Sequence, residues 1–275
     1  TDTRHILGVC AARSRLTGGA TAPVVVARGD HAMLSVRGVT LSGGMHGAGC
    51  ESGGHLVATA TLVRGATRRG FYAEGRGSRA EVTDSVASGC GIDGFAAIAG
   101  GQVTVIGSAA LSNLNLGAGV DGPESRLTLR DSALAGTNPL PDRTGGSGLL
   151  VNAGAANLER TAVIRNHYTG IAAIARGSVE MTDVFIDDTE TDGNGQLGQS
   201  LRADQGGGLR GTRVTTLRGR TTGVAATGAG SSVALTGCVI RNTMGMPRDG
   251  RMREGFGAIA ALGASITLER CLIDH

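Results

Sequence analysis

The feature that most constrains this chain is a short apolar template that returns every twenty-odd residues. Its plainest copy is Ala156 to Gly177. There Ala156, Leu158, Thr161 and Val163 fall in the spacing h-x-h-x-x-h-x-h, and a polar turn follows (RNHYTG, 165–170). Gly170 then opens a second apolar run, IAAIA, closed by Arg176-Gly177. Two-residue alternation marks strands, and glycine marks the tight turns between them. The unit therefore predicts three short strands and three corners, which is one coil of a solenoid and not a domain.

The frame fits 11 segments, from Val9 to the last copy at Ile266–Ile273, with Leu209/Gly211/Val214/Thr216 the poorest. Seven of the ten intervals between copies are 22–25 residues, and the other three are 29, 30 and 33. A fixed period of this size is the signature of a repeat architecture. The fixed leucine and asparagine consensus of leucine-rich repeats is absent, and no segment keeps a helical period. Short strands with Gly, Asn and Ser at the corners predict an all-β chain. The expected form is a parallel β-helix of about 10–11 coils with three short strands per coil. Each coil needs only its neighbours, so residues 1–275 are expected to form a single domain.

Three segments carry a resemblance to the right-handed parallel β-helix repeat family of the pectate-lyase-like superfamily. They are TAVIRNHYTGI at 161–171, GCVIRN at 237–242 and RCLID at 270–274. The resemblance covers nearly the whole chain and implies the fold. It says little about activity, because that superfamily holds lyases, hydrolases, epimerases, adhesins and phage spikes. It also implies an extracellular or cell-surface location, of bacterial type. The chain opens mid-fold with no signal peptide in view and contains no run of 18 apolar residues, so no membrane span is expected. A processed or truncated N-terminus is the expected reason.

Composition narrows the chemistry. Glycine supplies 48 of 275 residues, and these fall in register at coil corners, which reads as order. All 26 basic residues are Arg, the net charge is +3, and aromatic residues are 2%. Without Lys, no lysine base or Schiff base exists. Arg is spread over all coils and not interleaved with aromatics, so no nucleic-acid partner is expected. The five cysteines form no C-x-x-C pair, so no zinc site is expected. Cys238 and Cys271 share a template column in successive coils. Because parallel in-register side chains are poorly aimed at each other, they are expected to be stacked free thiols.

The three long intervals share one corner, between the second and third strands. The insertions are 136–147, 187–198 and 243–256, in alternate coils, and insertions that share a corner lie along one edge of a solenoid. The second carries Asp187, Asp188, Glu190, Asp192 and Asn194. Alternate oxygen side chains before a glycine resemble the start of a calcium loop, with Asp188, Glu190, Asp192 and Asn194 as the weak candidate ligands. Position twelve of that loop is Gln199, so calcium is a minor expectation and no cofactor is the main one. The third insertion offers Arg248, Arg251 and Arg253 to grip carboxylates or sulfates. His167-Tyr168 sits at the short corner between insertions, where Tyr168 is placed to stack on a sugar. Tyr72 is the other possible aromatic platform. His31, His46 and His55 show no partner acid at a telling spacing. Asn113, Asn166 and Asn242 follow the second strand at similar places, as expected of corner residues that tolerate left-handed backbone and bond the neighbouring coil.

These signals favour a non-catalytic secreted or surface β-helix that acts as a binding, adhesive or spacer module. Its contacts with a glycan or surface-protein ligand are expected along the 136–256 edge. The alternative is a carbohydrate-active enzyme, a polysaccharide lyase or glycoside hydrolase, using Asp187 and Asp188. The family's paired motifs for those activities are missing: Asp187-Asp188 has no N-T-D or G-H-G companion nearby. One column remains. The residue expected to face solvent in each second strand is largely apolar, including Leu62, Val86, Phe185, Val239 and Leu272. Contiguous exposed apolar surface marks interaction sites, so a lateral partner or second copy is expected over this face.

Overall fold

The computed structural model describes residues 3–245, 247–248, 251–252 and 255–274. Their strands form three parallel sheets of 11, 11 and 10 strands, in which every neighbour is the equivalent strand of the next coil. Coil 1 comprises Thr3–Leu7, Arg15–Gly18 and Val25–Arg28, and coil 7 comprises Ala155–Glu159, Ala162–Ile164 and Thr169–Ile174. Coil 11 contributes Ser265–Glu269 and Leu272–Asp274. Pairing is in register throughout, as in Leu127↔Ala156↔Val179. The poorest copy of the template, around Leu209, pairs like the rest.

Register follows from the core. The first strand sends its second and fourth residues inward and the second strand its middle one, so Leu158 and Val163 are both fully buried. One-residue slips would turn these columns to water. The corners flanking the second strand are tight, and each uses one left-handed residue per coil. Asp131, Arg160, Asp183 and Arg213 occupy the first corner at φ 49, 46, 55 and 55°. Ser112, Arg165, Asp188 and Arg218 occupy the second at φ 53, 53, 56 and 49°.

The corner asparagines bond the neighbouring coil as expected, but two of the three are not the left-handed residue. The left-handed residue is Ser112 or Arg165, and Asn113 and Asn166 come one position later, fully buried. Asn166 bridges coils: its Oδ1 accepts from Thr137 N at 3.0 Å and its Nδ2 donates to Leu134 O at 3.0 Å. Asn113 does the same for Cys90 N and Ala87 O. Asn242 is itself the left-handed residue of its coil, at φ 53°.

At the first corner the buried hydroxyls of Thr61, Ser85 and Ser108 form a second ladder. Ser85 Oγ accepts from Thr61 N at 3.1 Å, and Ser108 Oγ accepts from Ser85 N at 3.0 Å. Side chains here point along the solenoid axis and not away from it. Cys238 and Cys271 stand in this column, and they are disulfide-bonded with Cα atoms 4.4 Å apart. The expectation of stacked thiols therefore fails. The left-handed Gly237 and Arg270 that precede them turn each Cα–Cβ vector toward the neighbouring coil, within bridging distance.

Candidate binding site

The insertion-bearing corner forms a crest. Segments 136–146 and 188–198 have the same length and the same internal bonds. Leu140 N donates to Thr144 O and Arg143 N to Leu140 O; in parallel, Asp192 N donates to Gln196 O and Gly195 N to Asp192 O. The two loops rise from coils 6 and 8 and meet over coil 7, where Gly193 N donates to Arg143 O at 2.9 Å. His167 lies beneath this arch, half-buried. Its N–H donates to Gly146 O at 2.8 Å, and its Nδ1 lies 2.9 Å from Thr137 O. Tyr168 is half-buried with left-handed backbone, and its carbonyl accepts from Gly198 N. The sequence-predicted pair is therefore in the crest, His167 as its keystone and Tyr168 at its flank.

The acids of the crest are dispersed among separate partners. Asp187 is buried against Arg218 at 2.5 Å, and Glu190 faces Arg220 at 3.7 Å. Asp192 turns back on its own loop, where Oδ1 accepts from Asn194 N at 2.9 Å and Gln196 N at 2.8 Å. Asp188 is half-buried and Asn194 exposed. Among the described residues no three His, Cys, Asp or Glu side chains gather as a metal site. In the third insertion, Arg248 and Arg251 oppose each other in a two-residue antiparallel hairpin. Arg253 lies outside the described residues.

A second cluster, on the outward face of the third sheet, was missed by sequence reading. His46, Arg69 and Asp93 are equivalent residues of coils 2, 3 and 4. Asp93 is 6% exposed and His46 4%. Arg69 spans from Asp93 at 3.4 Å to Glu74 at 3.3 Å. Tyr72, on the same strand between Arg69 and Glu74, is fully buried, so it offers no platform to a ligand. Its ring centre lies 4.6 Å from that of His46, and its hydroxyl donates to Glu51 at 2.6 Å. Burial, with Arg69 and Arg68 nearby, lowers the His46 pKa to about 4. Burial pushes the Asp93 carboxyl up to about 6 against the pull of Arg69. His46 Nδ1, Arg69 Nε and Asp93 Oδ1 are buried without a hydrogen-bond partner. The spacings of 23 and 24 residues between the three equal the coil period, which is the signal that could have joined them. His55 also has a partner, Glu81, at 3.3 Å.

The second-sheet face is open within the chain. Leu62, Val86 and Val239 are half-buried, and Phe185 and Leu272 are 37% and 48% exposed. No helix among the described residues is long and apolar enough to cross a membrane.

Comparison with curated proteins and with solved structures returned no match. A family model described as "right handed beta helix region" matches residues 24–186, over half of the chain. The template, the three parallel sheets and this match agree, and the chain belongs to the right-handed β-helix family.

Proposed function

We propose that this chain is a non-catalytic binding module that engages a glycan or surface protein along its loop crest. The observation that carries the reading is the lock between Gly193 N and Arg143 O over His167. It ties two loops of the same length and internal bonding into one preformed edge, and preorganisation lowers the ordering cost of binding. The acids of the crest also favour binding over cleavage. Asp187, Glu190 and Asp192 are each engaged by Arg or by backbone N–H, which leaves no free carboxylate pair among them for acid–base work. The Cys238–Cys271 bridge supports an oxidising, extracellular setting.

A glycan array read together with a reducing-end release assay tests this. Binding without release is expected, and it should be lost when 188–198 is replaced by the short corner sequence of coil 7. Release of reducing ends would overturn it. A catalytic reading has one feature in its favour, the buried Asp93 carboxyl, pushed up to about 6 by burial, beside His46 and Arg69. It expects release that Asp93→Asn abolishes and Asp187→Asn spares.

A further inference from the structure

The second-sheet face has a pattern along the solenoid axis. Its outward column is small in the middle, with Ala109, Ala133 and Ala162 in coils 5, 6 and 7, and bulky on either side. A groove of about 570 Å³ follows this middle stretch, bordered by Asp84, Asp131 and Arg160. Phe185 projects from coil 8 just beyond it. Along the first-corner flank the residues run Asp84, Gly107, Asp131, Arg160, Asp183 and Arg213 in coils 4 to 9, five of them charged. Arg160 and Arg213 each hold the preceding Asp through two nitrogens, at 2.6 and 2.9 Å to Asp131 and at 2.5 and 2.7 Å to Asp183.

We propose that this face joins a second copy of the chain in a two-fold dimer with antiparallel solenoid axes. The two-fold lies parallel to the strands, between Ala133 and Ala162, so that coil n faces coil 13 − n of the partner copy. Coils repeat at ~4.8 Å, so this one register fixes every contact. Phe185 then enters the groove over Ala109, where a small residue leaves room for the ring. Ala133 lies against Ala162, the closest approach of the two faces. On the flank, Asp84 meets Arg213 beside its Asp183, a group of three charges, and the Asp131–Arg160 pairs of the two copies meet as a group of four.

The alternatives are disfavoured by the same charges. A shift of one coil in either direction sets Asp84 against Asp183 or Asp131 against Asp183. Parallel packing, coil n on coil n, brings the two corners together and sets Arg160 near Arg165, Asp183 near Asp188 and Arg213 near Arg218. Like charges brought face to face select against a register. On the opposite flank of the proposed dimer Arg64 faces Arg241, whose charge is already held by Asp274 at 3.1 Å.

The test uses the whole chain. Sedimentation should give twice the 27.5 kDa chain mass, and Phe185→Asp should return a folded monomer with its circular dichroism unchanged. In a Cys10→Ser background, the double variant Ala109→Cys/Phe185→Cys should be joined into a covalent dimer by a short bifunctional thiol reagent that reaches across facing sheets ~10 Å apart. Within one chain those positions lie three coils apart, ~14 Å, beyond that reach. Either cysteine alone should give no covalent dimer. A parent that stays monomeric at its solubility limit overturns the proposal. So does a dimer that Phe185→Asp leaves intact, or one in which each single cysteine cross-links to itself.

Discussion

The Tyr72 ring lies across the bare Cα of Gly49 in the preceding coil, and its hydroxyl donates to Glu51 of that same coil at 2.6 Å. A Cβ on Gly49 would fall inside the ring. Gly49→Ala is therefore expected to cost about 1–3 kcal/mol through overpacking. Tyr72→Ala should cost more on its own, because the ring is fully buried and large aromatic deletions cost about 3–5 kcal/mol. The double variant should be clearly more stable than the sum of the two losses, since removing the ring makes room for the methyl. Urea unfolding of the cycle measures this, and strict additivity would refute the contact.

His46 and Asp93 make opposite demands on pH. The folded His46 pKa is depressed, to about 4, so its contribution is present above the ordinary histidine value. It is lost as pH falls from about 6.5 toward 4. The folded Asp93 pKa is raised, to about 6, so its contribution is present at acid pH and is lost as pH rises from about 4 to 6. In the parent the two slopes oppose each other, and stability should be nearly flat across this window. His46→Gln should leave a curve that falls with rising pH, and Asp93→Asn one that rises, each approaching about 1.4 kcal/mol per pH unit. Equal slopes in both variants would mean that the two groups do not titrate as assigned.

Asn166 supplies one donor and one acceptor to buried backbone of coil 6. Its loss orphans Thr137 N and Leu134 O, at about 1–3 kcal/mol each. Asn166→Ala should cost about 2–5 kcal/mol, and Asn166→Asp at least as much at neutral pH, because a buried carboxylate then faces Leu134 O in place of the donor. A cost below that of an exposed substitution would show that water replaces the side chain.

What was legible in the sequence follows from what the repeat encodes. Inward columns such as Leu158 and Val163 must be apolar in every coil, so the spacing alone exposed them and the register. The insertions at 136–147 and 187–198 were legible for the same reason, as departures from a fixed period. Contacts along the solenoid axis were not. His46, Arg69 and Asp93 are neighbours only because they share a column, and that column otherwise reads as unremarkable, with Leu116 and Ser147 next. Arg218 and Arg220 neutralise Asp187 and Glu190 from one coil beyond, so a loop read alone as acidic is in fact paired. Tyr72 looked like an exposed strand residue because its cover is a side chain from the same face and not a core position.

The Cys238–Cys271 bridge sets the count of reactive thiols. A chain with five cysteines and one bridge leaves three thiols, Cys10, Cys50 and Cys90. Burial pushes the thiols of Cys50 and Cys90 up to about 12, so in the native protein only Cys10 should react promptly with a thiol reagent. Denaturant without reductant should raise the count to three, and reduction to five. The bridge closes a segment of 33 residues and ties coil 11 to coil 10. A loop of that length gives about 3–4 kcal/mol in the chain-entropy account. The loss in a Cys238→Ser/Cys271→Ser variant should be local, because each coil of a solenoid contacts only its neighbours. Amide exchange should therefore accelerate over 265–274 while coils 3 to 7 keep their protection. Five thiols titrating in denaturant without reductant, or exchange that rises evenly along the solenoid, would count against the bridge as a clamp on the last coil.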